Sequence, residues 1–229
     1  MKLNVKITSA SILLLAALAS CGSGSKSANS LKVGVQAGPE YSLAETAQKV
    51  AKEKYNLDVE LVSFNDYVMP NEALQQKDID ANVFQNKPYL DVQAESRGYA
   101  FAIVGNTFVY PMAGYSKKIK NISELKNDDT IVIPNDPTNL GRALLLLQEV
   151  GLIKLKDNMG LLPKLKDITE NRLKRNILEL EAPQLPRTLD DAKVAVAVIN
   201  NNFAASNNLT AKRDGIFVEN EKSPYVNII

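Results

Sequence analysis

The alternation of strand-like and helix-like segments is the feature that most constrains this chain. Apolar residues occupy every second position from Leu31 to Val35, and Ala37-Gly38-Pro39 then interrupts the pattern. Period-two alternation is typical of a β-strand, and a Gly-Pro step is typical of a turn. Segments with helical periodicity follow most of the strand-like segments. Because strands that alternate with helices form parallel sheets with helices on both faces, the sequence predicts an α/β fold.

Two such series occur along the chain, and we interpret them as two lobes. The later predicted strands of the first series are Val59–Phe64, Ala81–Phe84, Phe101–Val104 and Phe108–Tyr115. The second series has predicted strands at Ile131–Ile133, Leu178–Leu180 and Val194–Ile199, and a helix at Leu140–Val150 after a loop at Pro134–Asn139. We expect the chain to cross between the lobes near Tyr110–Ala113. Ligands of open α/β sheets bind beside the carboxyl ends of strands, so the residues after each strand are the functional candidates.

The helices of the first lobe carry recognisable start and stop signals. Ser42 and Glu45 have the spacing of a capping box, and the apolar residues within Leu43–Val50 then share one helical face. Pro88 suits the first turn of a later helix, which we expect to end at Gly98.

The first residues have the pattern of an export signal. After two lysines, the apolar run Ile7–Ala19 is shorter than the ~20 residues that a membrane-spanning helix needs. Small residues then precede Cys21, the only cysteine of the chain. This pattern predicts a lipoprotein signal peptide over residues 1–20, a lipid on Cys21 and a flexible tether over residues 21–30. An ordinary signal peptide with a cysteine nearby by chance is the alternative.

Composition excludes several classes of function. The sequence has no histidine, so Ser-His-Asp triads, Cys-His pairs and His-based zinc sites are impossible. It has neither a phosphate loop nor a dinucleotide fingerprint, and its aspartates do not have the spacing of a metal site, so we expect no cofactor and no metal. The net charge is +1, and the densest basic run, Lys117–Lys120, reads as a solvated loop. We therefore expect no nucleic-acid partner.

One predicted loop-to-helix junction offers an anion site. The loop Asn135–Asn139 leads into a helix that carries Arg142 in its first turn. An arginine there opposes the helix dipole, and a bidentate grip on a ligand carboxylate would compensate for this. The alternative is that Arg142 faces water or pairs with Asp136, and the sequence alone does not decide between these readings.

Aromatic and amide side chains follow three other strands. Phe64–Tyr67 follows one predicted strand and Phe84–Tyr89 ends another, where rings can wrap an apolar or thioether group. These rings can equally complete the core of the first lobe. Asn200 directly follows the strand Val194–Ile199, where it serves either as a ligand for a zwitterion or as a turn residue.

Several long runs of residues together resemble the NlpA lipoprotein family. They are Phe64–Asn71 (FNDYVMPN), Asn106–Pro111 (NTFVYP), Pro134–Arg142 (PNDPTNLGR), Glu181–Arg187 (EAPQLPR) and Ser223–Asn227 (SPYVN). The similarity extends from about Leu31 to the last residue. The best-known members of this family are the substrate-binding lipoproteins of methionine ABC importers.

The resemblance implies a two-lobed fold of the periplasmic-binding-protein type 2, with the ligand in the cleft between lobes that close like a hinged clamp. It implies lobe 1 at residues 31–111 plus 224–229 and lobe 2 at residues 112–223. Arg142 would hold an amino-acid carboxylate, and the other implied ligand-binding residues are Tyr67, Phe84, Asn86, Tyr89, Asn139, Asn200 and Asn227. The three rings would line the side-chain pocket, and Asn200 and Asn227 would bind the polar end.

The sequence departs from the family pattern in two places. Asn86 stands where family members usually have histidine, which bears on ligand preference. Relatives also continue beyond the position of Ile229, so we expect a C-terminal part to be missing and the pocket wall beside Asn227 to be poorly supported.

The function implied by the resemblance is that of a lipid-anchored extracytoplasmic component of an ABC importer. It would bind L-methionine or a close derivative in the cell envelope and deliver it to a permease that works with an ATPase. The alternatives are a binder of a methionine-containing dipeptide or of another amino acid, and a surface interaction lipoprotein without a transport role. An enzyme is disfavoured because no acid–base or nucleophile constellation is present.

Overall fold

A computed structural model describes residues 29–220 and 222–229. The predicted signal peptide, Cys21 and all but the last two residues of the predicted tether lie outside the described residues. Within the described ranges, no helix combines the length and the apolar character needed to cross a bilayer. The structure is built around a three-stranded sheet and a five-stranded sheet, and we call the surrounding parts lobe 1 and lobe 2.

The sheet of lobe 1 is parallel and has the strand order β2-β1-β3. Its strands are β1 (Ser30–Gln36), β2 (Asp58–Phe64) and β3 (Ala81–Val83), and its helices are α1 (Pro39–Tyr55), α2 (Met69–Gln75) and α3 (Lys87–Arg97). Gly98 ends α3 in the left-handed conformation, at the predicted position. Each β-strand therefore ends on the side of the sheet where a helix begins.

Helix α1 begins earlier than the sequence predicts. It starts at Pro39, with Gly38 as the N-cap, because proline has the right φ for a first helical turn and lacks the N–H that would be unsatisfied there. Ser42 therefore lies inside the helix, and the predicted capping box is not its start. The apolar face is also largely exposed: Leu43 is 51% exposed and Val50 is 38% exposed. Periodicity identified the helix but not the side that packs on the sheet.

The sheet of lobe 2 has the order β10-β4-β9-β5-β8 and is mixed. Its strands are β4 (Ala113–Tyr115), β5 (Thr130–Pro134), β8 (Asn176–Leu180), β9 (Val194–Ile199) and β10 (Gly215–Val218). Strand β5 is parallel to β8 and β9, but β4 is antiparallel to β9 and β10. The expectation of purely parallel sheets is therefore wrong for lobe 2. The reason is that Ala113, where the chain enters the sheet, lies opposite Ile199 and Val218, the last residues of β9 and β10.

The apolar core of lobe 2 lies on both faces of this sheet. Helix α4 (Pro137–Glu149) packs Leu144 and Leu147 against Ile131 and Val196 on one face. The other face is covered by a 3-10 segment (Ala182–Asp190) and by α5 (Asn201–Ala205). The remaining elements are the 3-10 turns Ile122–Glu124 and Leu165–Asp167, the hairpin strands β6 (Lys154–Leu155) and β7 (Ile168–Glu170), and helix α6 (Ala211–Asp214). Complete burial of β5 and β9 explains their unbroken apolar runs.

The segment between residues 101 and 112 forms no strand, which corrects the two strands predicted there before Ala113. Its backbone instead pairs with the last described residues. The N–H of Val104 donates to the carbonyl of Ile229 at 2.7 Å, and the N–H of Asn227 donates to the carbonyl of Phe108 at 2.8 Å. On the other edge, the N–H of Ile228 donates to the carbonyl of Gln85 at 2.9 Å. The segment that we expected to be poorly supported is thus hydrogen-bonded on both edges, within lobe 1.

Two neighbouring chain segments join the lobes. One leads through Met112 into β4, and the other leaves β10 at Glu219. They are hydrogen-bonded to each other, because the N–H of Glu219 donates to the carbonyl of Met112 at 2.9 Å. We call these two segments, residues 109–112 and the described residues of 219–225, the crossing segments.

Candidate ligand-binding cleft

A cavity lies between the lobes, at the carboxyl ends of their strands, where α/β sheets bind ligands. The space between its lining side chains amounts to about 400 Å³, part of it open to solvent. All eight binding residues expected from the sequence line this cavity: Tyr67, Phe84, Asn86, Tyr89, Asn139, Arg142, Asn200 and Asn227. The sequence reasoning missed five further lining residues: Glu40, Gln85, Tyr110, Asn201 and Asn202.

Three rings of lobe 1 form an aromatic wall of the cavity. The centroids of Tyr67, Phe84 and Tyr89 lie 6.0–6.2 Å apart, in tilted and edge-on pairs. The hydroxyl of Tyr89 donates to the backbone carbonyl of Tyr67 at 2.9 Å, which fixes the two residues relative to each other. Because Phe84 and Tyr89 are buried as well as lining the cavity, they serve both the core and the cavity wall.

Tyr67 also connects the two lobes. Its hydroxyl donates to Oδ1 of Asn202 at 2.6 Å, and its ring lies 5.0 Å from that of Phe203 in lobe 2. Burial raises the pKa of Tyr67 well above its usual range, so the hydroxyl remains a neutral donor. The lobes are therefore in contact over the cavity.

Arg142 is buried at the rear of the cavity, and its partner is Glu219. Its Nε lies 3.0 Å from Oε1 of Glu219, and its Nη2 lies 2.5 Å from Oε2. Nη2 also donates to the carbonyl of Tyr110 at 2.7 Å, and the ring centroid of Tyr225 lies 4.5 Å from Cζ. The guanidinium faces neither bulk water nor Asp136, which corrects that alternative reading.

These contacts also change the expected mode of ligand binding by Arg142. The edge of the guanidinium formed by Nε and Nη2 is occupied by Glu219, so it is not available for a bidentate grip on a ligand. Nη1 makes no hydrogen bond among the described residues. It is therefore the nitrogen left for a ligand anion.

A relay of hydrogen bonds begins at Asp136, the N-cap of α4. Its carboxylate accepts from the N–H of Asn139 at 3.0 Å and from Nδ2 of Asn139 at 2.9 and 3.1 Å. Oδ1 of Asn139 must then be an acceptor, and it takes a hydrogen bond from Nδ2 of Asn200 at 2.7 Å. This orientation leaves Oδ1 of Asn200 buried without a partner. Asn139 and Asn200 thus act together rather than as independent turn residues.

Glu40 is the most informative residue that the sequence reasoning missed. It lies in the first turn of α1, is 4% exposed, and its Oε2 has no hydrogen-bond partner. Burial raises the pKa of its carboxyl to about 7, against a hydrogen bond to its own backbone N–H that lowers it. The signal was present, since Glu40 follows a strand end and a Gly-Pro step. Placing the start of the helix at Ser42 concealed it.

The unpartnered polar atoms of the cavity form a pattern. Oε2 of Glu40 and Oδ1 of Asn200 are acceptors, whereas Nδ2 of Asn202 is a donor. Together with Nη1 of Arg142, they offer two acceptors and two donor groups inside one buried space. Buried polar groups are rarely left unpaired in native proteins, so these atoms indicate a ligand with both an ammonium and a carboxylate group.

Asn86 and Asn227 form one side of the cavity next to α3. Oδ1 of Asn86 accepts from the N–H of Tyr89 at 3.0 Å, which makes Asn86 the N-cap of that helix. Asn86 and Asn227 are also paired in an isolated β-bridge. Asn86 therefore has a defined structural task, because it caps the helix that carries Tyr89.

Comparison with solved structures places this arrangement among the two-lobed periplasmic substrate-binding proteins. The crystal structure of the methionine binding protein MetQ matches with a TM-score of 0.86 and 64% sequence identity, covering 87% of this chain and 82% of that one. A nutrient-binding protein from Burkholderia cenocepacia, solved with methionine bound, matches with a TM-score of 0.84 and 48% identity, covering 86% of this chain and 83% of that one.

The sequence profile described as NlpA lipoprotein matches residues 31–229. The chain belongs to the NlpA lipoprotein family, which confirms the resemblance read from the sequence. Among characterised relatives, the D-methionine-binding lipoprotein MetQ of Escherichia coli strain K12 is 63% identical over 213 residues, which are 93% of this chain and 79% of the relative.

Proposed function

We propose that this protein is the lipid-anchored, extracytoplasmic substrate-binding component of an ABC importer and that its ligand is methionine. The observation that carries the proposal is the set of unpartnered donors and acceptors beside an aromatic wall in a cleft between two lobes. The names of the relatives, which specify methionine, agree with that chemistry.

The polar end of the ligand binds between the lobes. Its ammonium group lies against Oε2 of Glu40 and Oδ1 of Asn200, the two acceptors without partners. Its carboxylate accepts from Nη1 of Arg142 and from Nδ2 of Asn202. Glu40 belongs to lobe 1, whereas Asn200, Arg142 and Asn202 belong to lobe 2. Because the ammonium group is bound from both lobes, binding of the zwitterion favours the closed arrangement.

The thioether side chain packs against the aromatic wall of Tyr67, Phe84 and Tyr89. Sulfur is polarisable and makes favourable contacts with ring edges, and the tilted arrangement of these rings exposes such edges. Asn86 and Asn227 border the same space, so they contribute to the choice between methionine and its derivatives.

The architecture of the molecule suits a clamp on a membrane. We assign lobe 1 to residues 31–111 plus 224–229 and lobe 2 to residues 112–223, and the hydrogen bonds of Asn227 and Ile228 to lobe 1 support this division. The crossing segments serve as the hinge. A lipid on Cys21 holds the protein at the membrane, where the closed form docks on a permease coupled to an ATPase. The protein itself catalyses no reaction.

Calorimetric titration of the chain from residue 22 onward tests the proposal. The ligands are L-methionine, D-methionine, glycyl-methionine and a panel of other amino acids, with leucine as the apolar control that lacks sulfur. Binding confined to methionine compounds supports the proposal, and tighter binding of the dipeptide would reassign the ligand. A protein that unfolds cooperatively but binds none of them would contradict the proposal and leave a surface interaction role. In a matched thermal-shift assay, ligand at 100 times its dissociation constant adds about 2.7 kcal/mol to stability.

A further inference from the structure

Glu219 lies where the chain leaves lobe 2, and it is almost as buried as Arg142. The exposed fraction of its side chain is 9%, against 5% for that of Arg142. Both carboxylate oxygens are used by the arginine, at 3.0 Å from Nε and 2.5 Å from Nη2. Oε2 also accepts from the backbone N–H of Met112 at 3.1 Å. The carboxylate therefore joins the arginine to the first crossing segment as well as to its own.

The guanidinium is held from both crossing segments at once. From the segment 109–112 the carbonyl of Tyr110 accepts from Nη2, and from the segment 219–225 come Glu219 and the ring of Tyr225. Two of its three nitrogens and one of its faces are thus occupied by residues of the hinge. The nitrogen that remains, Nη1, belongs to a group that lines the ligand cavity.

This arrangement does not make Glu219 a competitor of the ligand. A bidentate pair fixes the plane of the guanidinium as well as its position, because two parallel N–H···O bonds restrict rotation about the side-chain axis. It also compensates a buried charge that would otherwise be costly. A ligand carboxylate approaches the opposite edge, where the direction of Nη1 is already set and no ordering of the side chain is needed.

We propose that Glu219 is a positioning residue. It orients Arg142 so that Nη1 meets the ligand carboxylate, and it ties the recognition of that carboxylate to the two segments about which the lobes close. The proposal rests on the proposed function, because it presupposes a ligand that carries a carboxylate. It predicts that Glu219 acts on affinity only through that one group of the ligand.

Calorimetry of Glu219→Gln with two ligands tests this prediction. L-Methionine carries the carboxylate, whereas L-methioninol keeps the ammonium and the thioether but has a hydroxymethyl group in place of the carboxylate. We expect Glu219→Gln to weaken the binding of methionine at least tenfold and to leave the binding of methioninol within about threefold of the wild-type value. The preference of the protein for methionine over methioninol then falls by the same factor.

Glu149→Gln is the matched control. Glu149 lies near the same crossing segment and accepts a hydrogen bond from Asn220 at 2.8 Å, but it does not contact Arg142. This variant should leave the affinity for both ligands unchanged. If Glu219→Gln does not fold, Glu219→Asp is the substitute, because it keeps the buried charge and withdraws the carboxylate by one methylene. The same selective loss is expected.

The other outcomes are decisive as well. Equal losses of affinity for methionine and methioninol would mean that Glu219 only supports the fold, and an unchanged affinity for methionine would mean that the arginine is oriented without it. Either result overturns the proposal while leaving the proposed function intact. A wild-type protein that binds neither ligand would instead contradict the proposed function, and the positioning role would fall with it.

Discussion

Single residues in the cleft carry charges whose energetic cost is set by burial. Glu40 and Arg142 are only 4% and 5% exposed, and when ionised their side chains carry opposite charges. Arg142 has a buried counterion in Glu219, whereas Oε2 of Glu40 has no partner. The two residues should therefore respond differently to substitution. Substitution of Arg142 leaves the carboxylate of Glu219 buried without its counterion, whereas substitution of Glu40 by a neutral residue removes a buried charge that has no counterion.

Arg142→Ala should weaken methionine binding strongly. We expect a loss of about 2–5 kcal/mol of binding free energy, as is typical when one partner of a buried charge pair is truncated. The unfolding free energy should also fall, by about 3–5 kcal/mol, because Glu219 is left buried without its partner. Calorimetry and urea unfolding measure the two effects. Wild-type affinity in this variant would refute the role assigned to Arg142.

Glu40→Gln should stabilise the ligand-free protein at pH 8 while weakening ligand binding. The pKa of Glu40 is raised by burial from 4.5 to about 7. As the pH rises, the carboxyl of Glu40 therefore loses its proton in the unfolded state before it does so in the folded state. The stability contributed by this proton is fully present below pH 4.5 and is lost as the pH rises to about 7.

The raised pKa of Glu40 corresponds to about 3 kcal/mol of unfolding free energy, at ~1.4 kcal/mol for each unit of pKa. Urea unfolding of the wild type and of Glu40→Gln between pH 4.5 and 8 measures this effect. The difference in unfolding free energy between the two proteins should change by that amount, because the other titrating groups are common to both and contribute little to the difference. A difference that does not vary with pH would show that Glu40 titrates normally. Ligand affinity of the wild type should fall below pH 7, where the carboxyl becomes neutral and no longer attracts the ammonium group.

The start of α1 is the element on which contact between the lobes depends. Gly38, its N-cap, has φ +102°, a conformation that side chains rarely adopt, and a Cβ added there would lie 2.7 Å from Oγ of Ser206. Ser206 is the C-cap of α5 in lobe 2. Glycine at position 38 therefore allows both the positive φ of the turn and the close approach of α1 to α5.

Gly38→Ala should reduce ligand affinity although Gly38 does not line the cavity. The strained backbone costs about 1–3 kcal/mol, and the clash with Ser206 opposes lobe contact. Gly98→Ala is the control, because Gly98 also has positive φ, at +73°, but a Cβ there meets no atom within 4 Å. Unfolding experiments should show destabilisation of both variants, whereas calorimetry should show weaker binding only in Gly38→Ala. Equal affinities of the two variants would argue against a role in closure.

At the scale of the whole molecule, the proposed closure of the lobes links ligand binding to the proposed delivery of the ligand. Tyr67 bridges the lobes through Asn202 and packs beside Phe203, and the proposed hinge consists of two adjacent segments that are hydrogen-bonded to each other. A ligand that contacts both lobes shifts the population toward this closed arrangement by its difference in affinity for the two states.

Tyr67→Phe should weaken methionine binding about three- to tenfold, since the variant loses one hydrogen bond across the lobes, worth about 0.5–1.5 kcal/mol. The ring and its contacts remain. Solution scattering should show a decrease in the radius of gyration of the wild type with methionine, and the variant should need more ligand for the same decrease. No change in the radius at saturating ligand would contradict closure.

The sequence by itself determined the elements whose signals are local. The run Val194–Ile199 forms β9 with the predicted bounds, because an unbroken apolar run is buried on both faces wherever it packs. Pro88 and Gly98 mark α3 because they act through backbone conformation alone. The long motif runs identified the family, and the residues after strand ends supplied the candidate cavity residues, because strand polarity fixes where they meet.

Only the tertiary structure decided the features that depend on distant partners. Arg142 pairs with Glu219, 77 residues away, and no local pattern distinguishes that carboxylate from Asp136. The segment expected as strands after Phe101 pairs with the last residues instead, and β4 and β10 run antiparallel to their neighbours. The exposed face of Leu43 and the buried carboxyl of Glu40 follow the same rule. Periodicity states that a helix has an apolar face, but packing decides which face is covered and which polar atom is left without water.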